Sequence, residues 1–172
     1  VVLVRHNSYL FKGTVEENLR MAKPDATKEE MEAVLQKVNL LGFLQTQNGL
    51  QTELLEKAGN LSGGQCQRLV IARALLRSDS AVYIFDEAAS NIDVESEELI
   101  MNVIHELAKT KTVLLISHRL ANVVQSDQIY FLKNGTICER GTHAELMEQN
   151  GAYRHLYDSQ MVLENYGKEG NA

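Results

Sequence analysis

Apolar residues along the chain follow two kinds of pattern. Short, mostly apolar runs at residues 1–4, 81–85 and 112–117 are typical of strands buried on both faces of a parallel sheet. Apolar residues recur at helical spacing over residues 27–41 and 95–109, which predicts amphipathic helices there. The sequence therefore predicts buried parallel strands separated by helices.

Several helix starts are marked by capping residues. A Ser or Thr followed three residues later by Glu or Gln has the spacing of a capping box. This spacing occurs in Ser62 with Gln65, Thr27 with Glu30, and Thr142 with Glu145. Asp93 is a candidate N-cap for the helix that follows it. Asn-Gly at residues 134–135, between two strand-like segments, predicts a hairpin.

The helix predicted after Ser62 begins with two glycines, Gly63 and Gly64. Glycine has no side chain, so a ligand can approach the backbone closely there. The free N–H groups and the positive dipole end of a helix N-terminus favour an anion. This start therefore suits a phosphate group.

The apolar run at residues 81–85 ends abruptly in Asp86 and Glu87. In open α/β sheets, ligands bind beyond the carboxyl ends of the strands, which is where these acids fall. Two adjacent carboxylates can divide their roles there, one holding Mg²⁺ and one acting on water.

Composition limits the remaining possibilities. The 172 residues are enough for one domain with a core, and 44% hydrophobic with 23% charged residues is ordinary for a globular protein. A net charge of −6 argues against a nucleic-acid partner. No apolar run approaches the roughly 18 residues of a membrane helix. Cys66 and Cys138 lie far apart outside any ligand cluster, so we expect two reduced thiols and no zinc site.

One ordered set of motifs carries a family resemblance. LSGGQ at residues 61–65, QR at 67–68 and IARAL at 71–75 precede the strand that ends in Asp86-Glu87. This set resembles the nucleotide-binding domain of ATP-binding cassette (ABC) transporters. Three further stretches resemble the exporter type: LFKGTVEENL at residues 10–19, SHRL at 117–120 and GTHAEL at 141–146.

The resemblance covers nearly the whole chain and implies an α/β fold of the P-loop NTPase type. A mostly parallel sheet would carry an inserted helical subdomain with the signature motif at about residues 12–76. Residues 1–6 and 77–160 would belong to the catalytic core, and 161–172 would form a flexible tail. The P-loop strand and the N-terminal β-subdomain of the family would be absent.

The resemblance also implies roles for single residues in ATP hydrolysis. Glu87 would orient or deprotonate the attacking water, and Asp86 would hold Mg²⁺ through water. His118 would contact the γ-phosphate. These roles make Glu87 and His118 the catalytic residues and ATP with Mg²⁺ the ligands.

The signature residues Ser62, Gly63, Gly64 and Gln65 would close over the ATP of a second ATPase domain. Asp93, in the D-loop-like segment at residues 90–93, would help to shape that opposite site. His6 stands at the position of the family's Q-loop glutamine. The implied partners are a transmembrane domain and a second ATPase domain, at the cytoplasmic face of the membrane.

The sequence departs from the family in several places. His6 replaces a glutamine and is a poor ligand for a hard cation. Asn91 and Ile92 differ from the D-loop pattern, and Leu55 and Ala58 replace two glycines of the loop before the signature motif.

The phosphate-binding P-loop, G-x-x-x-x-G-K-[ST], does not occur in the sequence. We therefore expect a part of a longer protein that is inactive by itself. In the family the P-loop strand lies beside the strand ending at residue 117, so its loss would leave unpaired edges and exposed apolar faces. This predicts self-association, a rearranged sheet or the presence of an N-terminal part.

Two other functions are compatible with these residues. One is a soluble ABC ATPase that does not transport, which the acidic charge and the exporter-like C-terminal motifs disfavour. The other is a non-catalytic module that only dimerises, which His6 and the missing P-loop leave open. The transported substrate is not encoded in these residues, because in the family membrane helices select it.

Overall fold

The computed structural model describes the backbone of residues 1–90 and 92–169 and the side chains of residues 1–90 and 92–163. The predicted departure at Asn91 and the last residues of the predicted tail, 170–172, lie outside these described residues. The chain divides into two compact units, Val1–Ile116 and Ser117–Ala172.

A three-stranded parallel sheet is the centre of the first unit. Strands β1 (Val2–Arg5), β4 (Val82–Asp86) and β5 (Thr112–Ile116) lie in the order β1-β4-β5. Arg5 pairs with Asp86, and Asp86 with Ile116, so the three strands end in register. The parallel pairing was predicted from the apolar runs, and it brings the carboxyl ends of the strands to one edge.

The prediction that these strands are buried on both faces is wrong. Val4, Tyr83 and Phe85 face the core and are almost fully buried. On the other face, Leu3, Leu114 and Ile116 are 48%, 50% and 45% exposed. The physical reason is that the packing of β1 and β4 against the buried helical residues covers one face only, within the part of the chain that the structure describes.

Helices and short connections make up the rest of the first unit. They are α1 (Val15–Arg20), α2 (Lys28–Lys37), α3 (Leu41–Gln45), α4 (Gly63–Leu75) and α5 (Val94–Ala108), with a two-residue ladder between β2 (Gly13–Thr14) and β3 (Glu53–Leu54). The predicted capping boxes of α2 and α4 are both formed, and Asp93 caps α5 as expected. The short ladder was not predicted, and it lies within residues 12–76, where the resemblance implied a helical subdomain.

The second unit contains the predicted hairpin and two helices. Strands β6 (Ile129–Lys133) and β7 (Thr136–Gly141) are antiparallel, and Asn134 and Gly135 have the positive φ of 52° and 77° that a tight turn requires. Helices α6 (His143–Gln149) and α7 (Ala152–Glu169) follow, and α6 begins with the predicted capping box. Helix α7 includes residues 161–169, so this part of the predicted tail is helical.

No helix among the described residues combines the length and the hydropathy needed to cross a membrane.

Candidate nucleotide site

The acid pair lies where the central strand ends. Asp86 is the last residue of β4, and Glu87 follows in a left-handed conformation with φ = 51°. For a residue with a side chain this conformation costs about 1–2 kcal/mol, and such strain is concentrated at functional sites. The backbone is held by hydrogen bonds: Glu87 N–H donates to Ile116 O at 3.0 Å, and Ser90 Oγ donates to Glu87 O at 2.8 Å.

The loop after β1 brings His6 beside the acid pair. His6 N–H donates to Asp86 O at 3.1 Å, and the Arg5 guanidinium lies 4.0 Å from an Asp86 carboxylate oxygen. Ser8 closes the turn, because its N–H donates to Arg5 O and its hydroxyl accepts from Arg5 N–H. The structure thus places the exposed His6 next to Asp86, the residue we predicted to hold Mg²⁺.

The signature motif begins α4 with a reciprocal cap. Gln65 N–H donates to Ser62 Oγ at 3.2 Å, and Ser62 N–H donates to Gln65 Oε1 at 2.9 Å. The N–H groups of Gly63 and Gly64 precede the first bonds within the helix, and the backbone at Gly63 is exposed. This helix start can therefore offer backbone donors and a positive dipole end to an anion.

Asp93 lies against the same helix start. A Cβ at Gly64 would lie 2.8 Å from Ser96 Cβ and 3.1 Å from Asp93 Oδ2. Asp93 Oδ1 accepts from Ser96 N–H at 2.8 Å. Hydrogen bonds from the Ser96 backbone and hydroxyl, with the charge of Arg68, hold the pKa of Asp93 below its ordinary value. The structure therefore brings together Gly64 and Asp93, both of which we predicted to serve a second subunit.

Two side chains of α4 bind the loop that contains His6, and the sequence analysis did not identify them as site residues. Arg73 donates to Tyr9 O at 2.9 Å, and Gln67 Nε2 lies 3.5 Å from Arg5 O. Burial lowers the pKa of Arg73. In the sequence Gln67 is only a polar residue of the predicted helix, and the structure shows that it is buried. These contacts connect the signature helix to the turn beside Asp86.

His118 lies in the second unit, where hydrogen bonds from Gln160 and Ser117 hold the backbone of its loop. Its side chain is exposed. Gln160 Nε2 donates to His118 O at 2.7 Å, and Leu120 N–H donates to Gln160 Oε1 at 2.8 Å. Ser117 Oγ accepts from Arg119 N–H at 3.0 Å and forms the local turn. Gln160 was not identified from the sequence, since it lies 42 residues from His118.

Asp86 is the residue of this site that could hold Mg²⁺ bound together with a nucleotide. Among the described residues, no group of three His, Cys, Asp or Glu side chains could hold a metal ion. Asp86 offers one partly exposed carboxylate. Mg²⁺ in nucleotide sites is commonly held by one or two carboxylates, with water and phosphate oxygens completing its octahedron.

Comparison with known proteins identifies the family of the chain. The family model for ABC transporters matches residues 1–90. The chain belongs to the ABC transporter family. It is 52% identical over its whole length to an ABC transporter ATP-binding protein of Haemophilus influenzae, covering 30% of that protein. It is 44% identical over 90% of its length to an ATP-dependent lipid A-core flippase of Vibrio vulnificus, covering 27% of it.

A solved structure, that of a bacterial Atm1-family ABC exporter with ATP bound, matches with a TM-score of 0.83 at 30% identity. The match covers 92% of this chain and 28% of the exporter chain. The chain thus spans less than a third of the length of these relatives. The predicted family and the α/β fold class are confirmed, whereas the subdomain bounds and the roles of single residues stay predictions.

Proposed function

We propose that this chain is part of the ATP-hydrolysing domain of an exporter-type ABC transporter, which uses ATP to move a substrate across a membrane. The observation that carries the proposal is the Asp86-Glu87 pair at the carboxyl end of the central parallel strand, beside the His6 turn. The names of the relatives, a flippase and an exporter, support transport rather than a soluble ATPase.

Each acid has its own part in this reaction. Glu87 accepts the proton of the attacking water or orients that water. Its left-handed backbone fixes the position from which its side chain extends. Asp86 would hold, through water, the Mg²⁺ of the bound nucleotide, and this ion would neutralise charge on the phosphates. His118 contacts the γ-phosphate, and its side chain is exposed.

The N-terminus of α4 binds the nucleotide that is held by a second ATPase domain. Ser62, Gly63, Gly64 and Gln65 present a helix N-terminus, and Asp93 lies against Gly64. The sequence contains no P-loop lysine, so a P-loop elsewhere in the assembly binds the phosphates. The transmembrane partner places this domain at the cytoplasmic face of the membrane.

The test is ATP hydrolysis by the full-length protein that contains this chain, purified in detergent or lipid. Glu87→Gln keeps the size of the side chain and removes the base, so we expect the rate to fall at least ~100-fold. Binding of Mg-ATP should remain. Glu98→Gln, an exposed position on α5, is the matched control and should hydrolyse ATP as the wild type does.

Two results would overturn the proposal. A Glu87→Gln protein that keeps the wild-type rate would remove Glu87 from the chemistry. A wild-type protein that binds Mg-ATP without hydrolysing it would instead support the non-catalytic module. The 172-residue chain alone should neither hydrolyse ATP nor bind Mg-ATP at micromolar strength in a calorimetric titration, since it has no P-loop.

A further inference from the structure

The Gln160 side chain makes two hydrogen bonds to the backbone around His118. Its Nε2 donates to His118 O at 2.7 Å, and its Oε1 accepts from Leu120 N–H at 2.8 Å. A carbonyl can only accept and an N–H can only donate, so these two partners fix the orientation of the amide. The amide therefore pairs with residues 118 and 120 much as a neighbouring strand would.

Other contacts, which do not involve Gln160, also hold this loop. Ser117 Oγ bonds to Arg119 N–H and Arg119 O, both at 3.0 Å, and forms the local turn. Leu120 is buried and begins a 3₁₀ turn, Leu120–Val123. Loss of the Gln160 amide would thus leave the loop folded and remove one hydrogen bond from the His118 carbonyl.

We propose that Gln160 is a positioning residue for His118: its amide fixes the backbone at residues 118–120 and so sets the direction from which the imidazole reaches the γ-phosphate. This inference rests on the proposed function. It makes α7 part of the catalytic apparatus through the backbone of residues 118–120. A small displacement of a positioned group can lower a rate ~100-fold, so one amide can matter.

Two substitutions in the full-length protein separate the bond from the packing. Gln160→Ala removes both hydrogen bonds. Gln160→Glu keeps the shape and the acceptor for Leu120 N–H, but an ionised carboxylate cannot donate to His118 O. Gln149→Ala, at an exposed position on α6, is the matched control.

We expect both Gln160 variants to lower kcat for ATP hydrolysis about tenfold or more, with KM for ATP changing less than about twofold. Hydrogen exchange of the Leu120 amide should accelerate in Gln160→Ala and stay slow in Gln160→Glu. In a His118→Ala background, Gln160→Ala should cause no further loss, because the two residues act through one group.

The outcomes distinguish the two proposals. An active wild type with unchanged kcat in Gln160→Glu would overturn the positioning role and leave the proposed function standing. Equal losses from Gln160→Ala with and without His118 would also overturn it, since Gln160 would then act elsewhere. An inactive wild type would overturn the proposed function and the catalytic role of Gln160 with it.

Discussion

Gly64 lies where the N-terminal turns of α4 and α5 meet, and a side chain has no room there. A Cβ would overlap the Ser96 hydroxyl and press on Asp93. Overpacking of this kind costs about 1–3 kcal/mol, so we expect Gly64→Ala to lower the free energy of unfolding of the chain by that amount. Urea unfolding followed by circular dichroism measures it.

Gly63 provides the control for this prediction. A Cβ there would have Ile92 Cγ2 as its nearest neighbour, at 4.0 Å. Gly63→Ala should therefore change the free energy of unfolding by less than about 0.5 kcal/mol. Equal destabilisation by both substitutions would contradict the assignment of the loss to the contact with Ser96.

Residue identity could be predicted at Glu87, but its conformation could not. The end of an apolar run in two acids is visible in the sequence. The positive φ of Glu87 depends on hydrogen bonds to Ile116 and Ser90 after the strands have assembled. Left-handed backbone is intrinsically unfavourable for a glutamate, so no local preference indicates it.

At the scale of elements, the helix starts were predictable because their information is local. The caps at Ser62, Thr27 and Thr142 each involve residues three apart, and all three formed as predicted. The exposure of β5 was not predictable from its apolar run, because the run is the same whether or not a neighbour covers its second face. The contact of Gln160 with His118 spans 42 residues and has no local signal.

The cap of α5 makes the stability of the chain depend on pH. Hydrogen bonds from Ser96 hold the pKa of Asp93 below its ordinary value of 3.8. A depressed pKa adds stability that is complete above the ordinary value and is lost as the pH falls through the folded-state value. Asp93→Asn keeps the capping oxygen and removes the titration, so we expect a smaller loss of stability on acidification.

The measurement is the free energy of unfolding in urea between about pH 6 and pH 2, compared for wild type and variant. The difference in free energy of unfolding between wild type and Asp93→Asn should shrink as the pH falls. Glu98→Gln, on the exposed side of the same helix, should keep the wild-type profile. A constant gap across this range would show that Asp93 acts through its shape and not through its charge.

At the scale of the molecule, the order of the motifs predicted the family because it spans both units. The acids and the signature motif lie in the first unit, and His118 lies in the second. What the order did not predict is how completely the sheet is covered. Leu3, Ile84 and Leu114 pair across β1, β4 and β5, and they lie on the face where Leu3 and Leu114 are about half exposed.

This apolar sheet face predicts self-association of the 172-residue chain. Its strand β5 is also at the edge of the sheet, and edges with apolar faces favour pairing between molecules. Leu114→Thr keeps a residue that favours strands and removes apolar surface, so we expect it to lower the average mass in sedimentation at a given concentration. Leu55→Thr, at an exposed leucine outside this sheet, should not lower it. A wild-type chain that sediments as a monomer over a concentration series would contradict the prediction, because the exposed face would then be tolerated in water.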